Sequence, residues 1–359
     1  MGFGNKLLIS FPSSLITIFG SFARMSTKKE IVVSGIRSTG NLHLGNYFGA
    51  VRNFIKMQHE YDCFFFIADY HSLTTHPTPA DLHANVKQVL VEYLACGIDP
   101  EVSTIYIQSD LPETAELYLL LNMNAYVGEL ERSTTFKEKV RKQPDNVNSG
   151  LLTYPVLMAA DILIHRATKV PVGKDQEQHL EFARTFGNRF NRMYKSDLFP
   201  EPFAFNFGTQ LVKIPGLDGT GKMGKSEGEG NAIFLADAPE VIRKKVMRAV
   251  TDAGPTQPNQ EKPEAIKNIF QLMGVVSSAD TLKHFEDAYN NCSIRYGDMK
   301  KQLAEDMVAF TAPLRERILE LGKDEDYIHK TATEGAEKAR ESASATVAEA
   351  RKLIGFRHF

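Results

Sequence analysis

The chain has 359 residues, 43% hydrophobic and 24% charged, with a net charge of −2, a composition that suits two or three globular domains around a sizeable core. Its longest apolar run, Cys63 to Ala68, is far short of the roughly 20 residues a membrane-spanning helix needs, and no overall basic charge points to DNA. Cys63, Cys96 and Cys292 are too widely spaced for a zinc knuckle or a CxxC pair, which places the chain in a reducing compartment such as the cytoplasm.

The first 24 residues hold Lys6 and Arg24, no acidic residue, and an apolar stretch rich in Ser and Phe. That composition reads either as an extension ahead of an internal start at Met25 or as an organellar transit segment. Regular signals begin at Ile31-Val32-Val33, a short buried strand, followed by the glycine-rich segment Ser34 to Gly45. Phe48, Val51, Phe54, Ile55 and Met57 then recur at helical spacing. Cys63 to Ala68 is a second buried strand. Thr78-Pro79-Ala80-Asp81 supplies a helix cap, a first-turn proline and an acid, and Gly97 ends that helix. Ser103 to Gln108 and Lys169 to Val172 are expected as third and fourth strands. Strands alternating with helices predict βαβ units in a doubly wound parallel sheet. Beyond Ala236 the strand signal fades into helical patterns such as Met299, Leu303, Met307, Phe310, Leu314 and Ile318. Glu334 to Lys352, rich in Ala, Glu and Ser, is expected as a solvated terminal helix.

Two segments suggest chemistry. Ser34-Gly35-Ile36-Arg37-Ser38-Thr39-Gly40-Asn41-Leu42-His43-Leu44-Gly45-Asn46 lies between the first strand and first helix, and its glycines and polar groups suit a phosphate. It matches neither the dinucleotide GxGxxG spacing nor a GxxxxGK[ST] loop. Far downstream, Gly219-Thr220-Gly221-Lys222-Met223-Gly224-Lys225-Ser226 is a cationic loop able to gather around a polyphosphate. Each alone is also what an ordinary turn looks like. A third feature is Asp161, in the apolar helical stretch Tyr154 to Ile164, where a carboxylate is costly to bury unless something satisfies it. Met158 lies on the same helical face, and Val170 and Val172 alternate so as to point the same way.

Together the first two segments resemble the HIGH and KMSKS signatures of class I aminoacyl-tRNA synthetases. Gly128-Glu129-Leu130-Glu131-Arg132, Phe136-Lys137-Glu138-Lys139, Leu151-Leu152-Thr153-Tyr154-Pro155, Met158-Ala159-Ala160-Asp161-Ile162-Leu163 and Val170-Pro171-Val172-Gly173-Lys174-Asp175-Gln176 narrow the resemblance to the bacterial-type tryptophanyl-tRNA synthetases, from about Ile31 to the C-terminus. Two positions depart from the signatures. Asn46 stands for the last histidine of the first, as is usual in this subfamily, and Gly224 replaces the central serine of the second while keeping both lysines. Arg37 stands where many relatives carry Gln.

The resemblance implies a Rossmann-like catalytic domain over 29–236 and a helical C-terminal domain over 237–359 that binds the tRNA anticodon; residues 1–28 lie outside it and are expected to form a disordered extension. It implies ATP as substrate, magnesium held mainly through the ATP phosphates, L-tryptophan and tRNA(Trp) as further substrates, and a homodimer. His43, Asn46, Lys222 and Lys225 become the catalytic set. Arg37, Ser38, Thr39, Gly45, Lys139, Gly173, Lys174, Asp175, Met223, Gly224 and Ser226 join them around ATP. Asp161 becomes the acceptor for the indole N–H, among Met158, His71, Val33, Gly35, Val170 and Val172, with Tyr154 and Gln176 on the substrate α-amino group. No dedicated protein metal site is expected. The alternatives are a tyrosyl-tRNA synthetase, a small nucleotidyltransferase with an HxGH motif, and a non-catalytic paralogue that binds RNA.

Overall fold

The computed structural model describes residues 29–173, 177–205, 214–219, 221–224 and 230–357. Its centre is β1 (Ile31–Arg37) lying parallel to β2 (Asp62–Ala68), in register from Ile31 against Asp62 to Arg37 against Ala68. β2 is apolar from Cys63 to Ala68 without alternation, and β1 is apolar over Ile31-Val32-Val33 before it turns polar toward its carboxyl end, as strands inside a sheet covered on both faces require. Between them the chain winds through α1 (Leu44–Asn46), a π-helical turn over Tyr47–Val51, and α2 (Arg52–Met57). This is the helix expected from Phe48 onward, widened by one turn of i→i+5 winding close to the signature segment. After β2 come α3 (Asp69–Ser72) and α4 (Pro79–Cys96), the latter capped by Thr78 Oγ1 on the Asp81 N–H and ended by Gly97 at φ +104°.

β3 (Thr104–Ile107) pairs with β2, β4 (Lys169–Val170) with β1, and β5 (Phe203–Ala204) with β4, all parallel. The strand order is therefore β3-β2-β1-β4-β5, which reverses direction between β1 and β4. In open α/β sheets the crevice at that reversal, outside the carboxyl ends of the strands, is where ligands bind. Between β3 and β4 lie α5 (Pro112–Asn122), α6 (Val127–Glu131), α7 (Thr134–Lys142) and α8 (Ser149–Leu163), and α9 (Glu177–Tyr194) precedes β5. Four strands fall where the sequence predicts them. β5 escapes prediction because it is two residues long and both are exposed.

Alternate residues of β2 feed two cores. Cys63, Phe65 and Ile67 pack with Val32, Phe54, Leu90 and Tyr93 on one face. Phe64 and Phe66 pack with Val33, Val170 and the apolar sides of α8 and α9 on the other. The C-terminal region is helical as expected: α10 (Pro239–Met247), α11 (Glu264–Val276), α12 (Ala279–Asn290), α13 (Tyr296–Leu321) and α14 (Glu325–Ile354). Ile242, Leu272, Met299 and Leu303 extend the first core away from the sheet.

The expected solvated terminal helix is instead docked. Ala336, Ala339, Ala343 and Ala350 of α14 recur every three, four or seven residues and are buried, giving a face of small side chains that lets two backbones approach. The approach is closest at Gly335, where a Cβ would sit 1.7 Å from the Ile105 carbonyl oxygen of β3. Lys338 donates to the Pro100 carbonyl and Arg340 to the Asp110 carbonyl. The helix covers β3, the edge strand of the sheet, and so removes an open template for pairing.

Candidate active site

The crevice at the β1/β4 reversal opens onto the ends of both strands. Gly35 is exposed, and a Cβ there would lie 2.6 Å from the Phe66 ring, so only glycine leaves the β1 backbone bare at this point. Arg37 is exposed at the strand end and Thr39 just beyond it, its N–H donating to the Arg37 carbonyl at 2.8 Å. Ser38, between them, is buried, with its Oγ 2.8 Å from Ser72 Oγ. Ser38 therefore ties the end of β1 to α3, and its hydroxyl is already engaged there.

His43 and Asn46 cap each other. His43 Nδ1 accepts the Asn46 N–H at 3.2 Å and Asn46 Oδ1 accepts the His43 N–H at 3.0 Å, a reciprocal arrangement that fixes both side chains at the helix start. Gly45 is sealed beneath them, since a Cβ would meet the His43 ring at 2.8 Å and Met223 Cβ at 3.5 Å. Met223 is buried in the first core, its N–H donating to the Ile214 carbonyl. Residues 42–44 are bonded on their other side to Ile233 and Leu235. The two signature segments, remote in sequence, thus meet at Gly45 and Met223. Lys222, bridged to Pro215, is exposed beside them, and Gly224 is half-buried. Glu92 of α4 lies fully buried below and accepts the Leu42 N–H; the sequence reading passes over it because α4 otherwise reads as plain core.

On the opposite side, Tyr154, Met158 and Asp161 share one face of α8. Asp161 is 1% exposed. Its Oδ2 is 2.9 Å from His71 Nε2, and its Oδ1 accepts from Gln108 Nε2 at 2.7 Å. Burial pushes this carboxyl above the usual range, while the hydrogen bonds from His71 and Gln108 work against that rise. Each oxygen keeps a second lone pair, so the group can still accept a further donor. Gln108 is the functional candidate the sequence reading missed. It is fully buried, and its Oε1 finds no hydrogen-bond partner among the described residues. Its only sequence signal is a polar side chain ending an apolar strand. Val33 and Val170 are buried in the second core, and Val172 and Met158 line its edge half-exposed.

Tyr154 joins the two halves. Its hydroxyl is 3.0 Å from His179 Nε2, and burial pushes its phenol up to about 12. Lys139 Nζ lies 3.6 Å from the centroid of its ring, a cation–π contact. Burial, with the Arg37 charge adding to it, pulls the Lys139 ammonium down to about 8. Gly173 ends the described segment after β4. Lys174, Asp175, Gln176, Lys225 and Ser226 lie outside the described residues.

A reversed parallel sheet carrying two signature segments side by side at its switch point is the arrangement of a class I aminoacyl-tRNA synthetase. The family model described as tRNA synthetases class I (W and Y) matches residues 25–312. The tryptophan–tRNA ligase of Porphyromonas gingivalis is 67% identical over 91% of this chain and 100% of its own length. That of Clostridium perfringens is 41% identical over 92% and 99%. The crystal structure of tryptophanyl-tRNA synthetase from Campylobacter jejuni, complexed with ADP and tryptophan, superposes with a TM-score of 0.81 at 33% identity, covering 91% of this chain and 100% of that one. The chain belongs to the class I tRNA synthetases for tryptophan and tyrosine, among the bacterial-type tryptophanyl-tRNA synthetases.

Proposed function

We propose that the chain activates L-tryptophan with ATP in the β1/β4 crevice and transfers it to tRNA(Trp). The tryptophan carboxylate attacks the ATP α-phosphorus, the bond to the β-phosphate bridging oxygen breaks, and pyrophosphate leaves. The 2′-hydroxyl of the terminal adenosine of the tRNA then takes the aminoacyl group from the adenylate, releasing AMP and a proton. The nucleophile is already an anion, so the work is positioning and charge stabilisation. His43, Asn46, Gly45 and Lys222 border the phosphates, joined by Lys225, Gly224 and Ser226. Arg37, Thr39 and Lys139 supply cationic and polar contacts across the crevice, with Gly173, Lys174 and Asp175 on the ribose side. The described groups facing the phosphates are cationic or neutral, and among the described residues no cluster of His, Cys, Asp and Glu could hold a metal ion. Magnesium fits here as a companion of ATP held by phosphate oxygens.

The observation that carries the choice of amino acid is Asp161. Indole offers one ring donor and no acceptor, and Asp161 is an acceptor whose two protein donors already hold it in place. A tyrosine hydroxyl would bring an acceptor lone pair to a place where His71 and Gln108 are committed to Asp161. Tyr154 and Gln176 are proposed at the α-amino group. The region 237–359 is proposed to bind the tRNA anticodon, and the chain to act in the cytoplasm. Among the described residues no helix is long and apolar enough to cross a membrane. A homodimer is supported by the apolar surface where α5 meets α6: Met123 is 75% exposed and Tyr126 63%, with Leu119 and Val127 also exposed.

Tryptophan-dependent exchange of pyrophosphate into ATP tests this reading. Exchange is expected with tryptophan and not with tyrosine. Tyrosine-dependent exchange would assign the rival specificity, and no exchange with either would make the chain a non-catalytic paralogue.

Lys139 adds a pH dependence. Its protonated form attracts ATP, and it loses its proton near pH 8 in the free protein. At saturating tryptophan, kcat/KM for ATP should therefore fall as pH rises through about 8. Lys139→Met should remove that inflection and lower the plateau below it. Arg37→Gln removes a repelling charge and should move the inflection upward.

A further inference from the structure

The last ladder pair between β2 and β3 is Ile67 with Ile107. Just beyond it the strands diverge, β2 into α3 and β3 into a single 3-10 turn over Gln108–Asp110. At this fork Asp69 is buried, and one oxygen of its carboxylate accepts two backbone N–H groups, Tyr70 at 2.9 Å and Ser109 at 3.0 Å. The second bond crosses from one strand end to the other and continues the pairing past the point where the ladder stops. The residues so held are the immediate neighbours of His71 and Gln108, whose side chains converge on opposite oxygens of Asp161.

We propose that Asp69 is the positioning residue of the indole end of the pocket, holding the His71 and Gln108 backbones in the one relation that lets both donate to Asp161. The proposal rests on Asp161 reading the indole N–H. Asp69 acts through the backbone it holds. A carboxylate that loses one of its two fixed donors can turn about its own side-chain torsions, and a misdirected acceptor loses the geometry a donor needs. The effect should therefore fall on tryptophan and leave ATP alone.

The test compares Asp69→Ala, Asp69→Asn, Asp161→Ala and the double alanine variant in the full-length protein. The chain contains no tryptophan, so the change in ligand fluorescence on binding reads tryptophan affinity without emission from protein tryptophan. Asp69→Ala should weaken tryptophan binding and raise its KM roughly tenfold, the scale of one weakened hydrogen bond, with KM for ATP within about twofold of wild type. Asp69→Asn retains the accepting oxygen and should stay within about twofold for both substrates. Amide exchange at Tyr70 and Ser109 should speed up in the alanine variant and not in the asparagine one. The double variant should fall no further than Asp161→Ala alone, because residues acting through one contact are not additive. Equal losses for tryptophan and ATP, additive losses in the double variant, or an Asp69→Ala enzyme with wild-type tryptophan affinity would each overturn the proposal. A silent Asp161→Ala would instead remove the reading on which it stands.

Discussion

Asp161→Ala should lower kcat/KM for tryptophan by roughly 5- to 150-fold, the equivalent of ~1–3 kcal/mol for a buried donor left unpaired on the substrate. KM for ATP should stay near wild type, since the site proposed for the nucleotide lies across the crevice. Preference for tryptophan over phenylalanine, which has no ring donor, should shrink in parallel, because a site built to bond one substrate group rejects analogues lacking it most strongly. A second cost falls on the protein itself. His71 and Gln108 both point at Asp161, and the alanine strands two donors in the free as well as the bound state, so Tm should drop without contributing to selectivity. Asp161→Asn should be milder on both counts. Its oxygen can accept from His71 and the indole, and its NH2 can be met by Gln108 after a flip of that amide, whose oxygen is otherwise unpartnered. Steady-state kinetics with both amino acids and a thermal melt check the order wild type, Asn, Ala. An Asp161→Ala enzyme that folds and keeps its selectivity would make Asp161 a structural carboxylate.

Lys225→Ala should slow adenylate formation by about 10²-fold or more, the usual loss when a donor to developing transition-state charge is removed. Met223, two residues earlier, is anchored against Gly45 beside His43 and Asn46, so this segment starts at the side of the crevice proposed for the phosphates. Tryptophan affinity at equilibrium, read by ligand fluorescence, should change little. Survival of exchange within a factor of about two of wild type would show the lysine to be dispensable.

Apolar continuity made β2 and the first three residues of β1 legible, while β1 runs on to Arg37 through the glycine-rich segment, and Thr78, Pro79, Asp81 and Gly97 marked α4 to the residue. The meeting of His43 with the lysine-bearing segment was legible only through family resemblance, because no local pattern reports a contact across some 180 residues. Asp69, Gln108 and Glu92 went unread for one common reason. Each is a single polar residue at the end or in the middle of an apolar element, where it breaks no period and belongs to no spacing motif. What gives them meaning is the partner each finds across the fold. Ser38 shows the converse: motif position marks it for ATP, while packing turns it to Ser72. The alanine face of α14 read as solvent-facing because small side chains carry little hydrophobic signal, and its burial follows from the close approach that Gly335 permits.

That docking bears on how the chain is made. Synthesis runs from the N-terminus, and domains generally begin folding as they emerge. Here the strand at the edge of the sheet emerges early, yet Arg340 bonds Asp110 across 230 positions of sequence. Through most of translation β3 has its outer edge bare, and closing it waits on the last helix. Contacts of such long separation form slowly. A ribosome that stalls before α14 therefore releases a nearly complete sheet with one open side, the form of this chain most exposed to pairing with a neighbour.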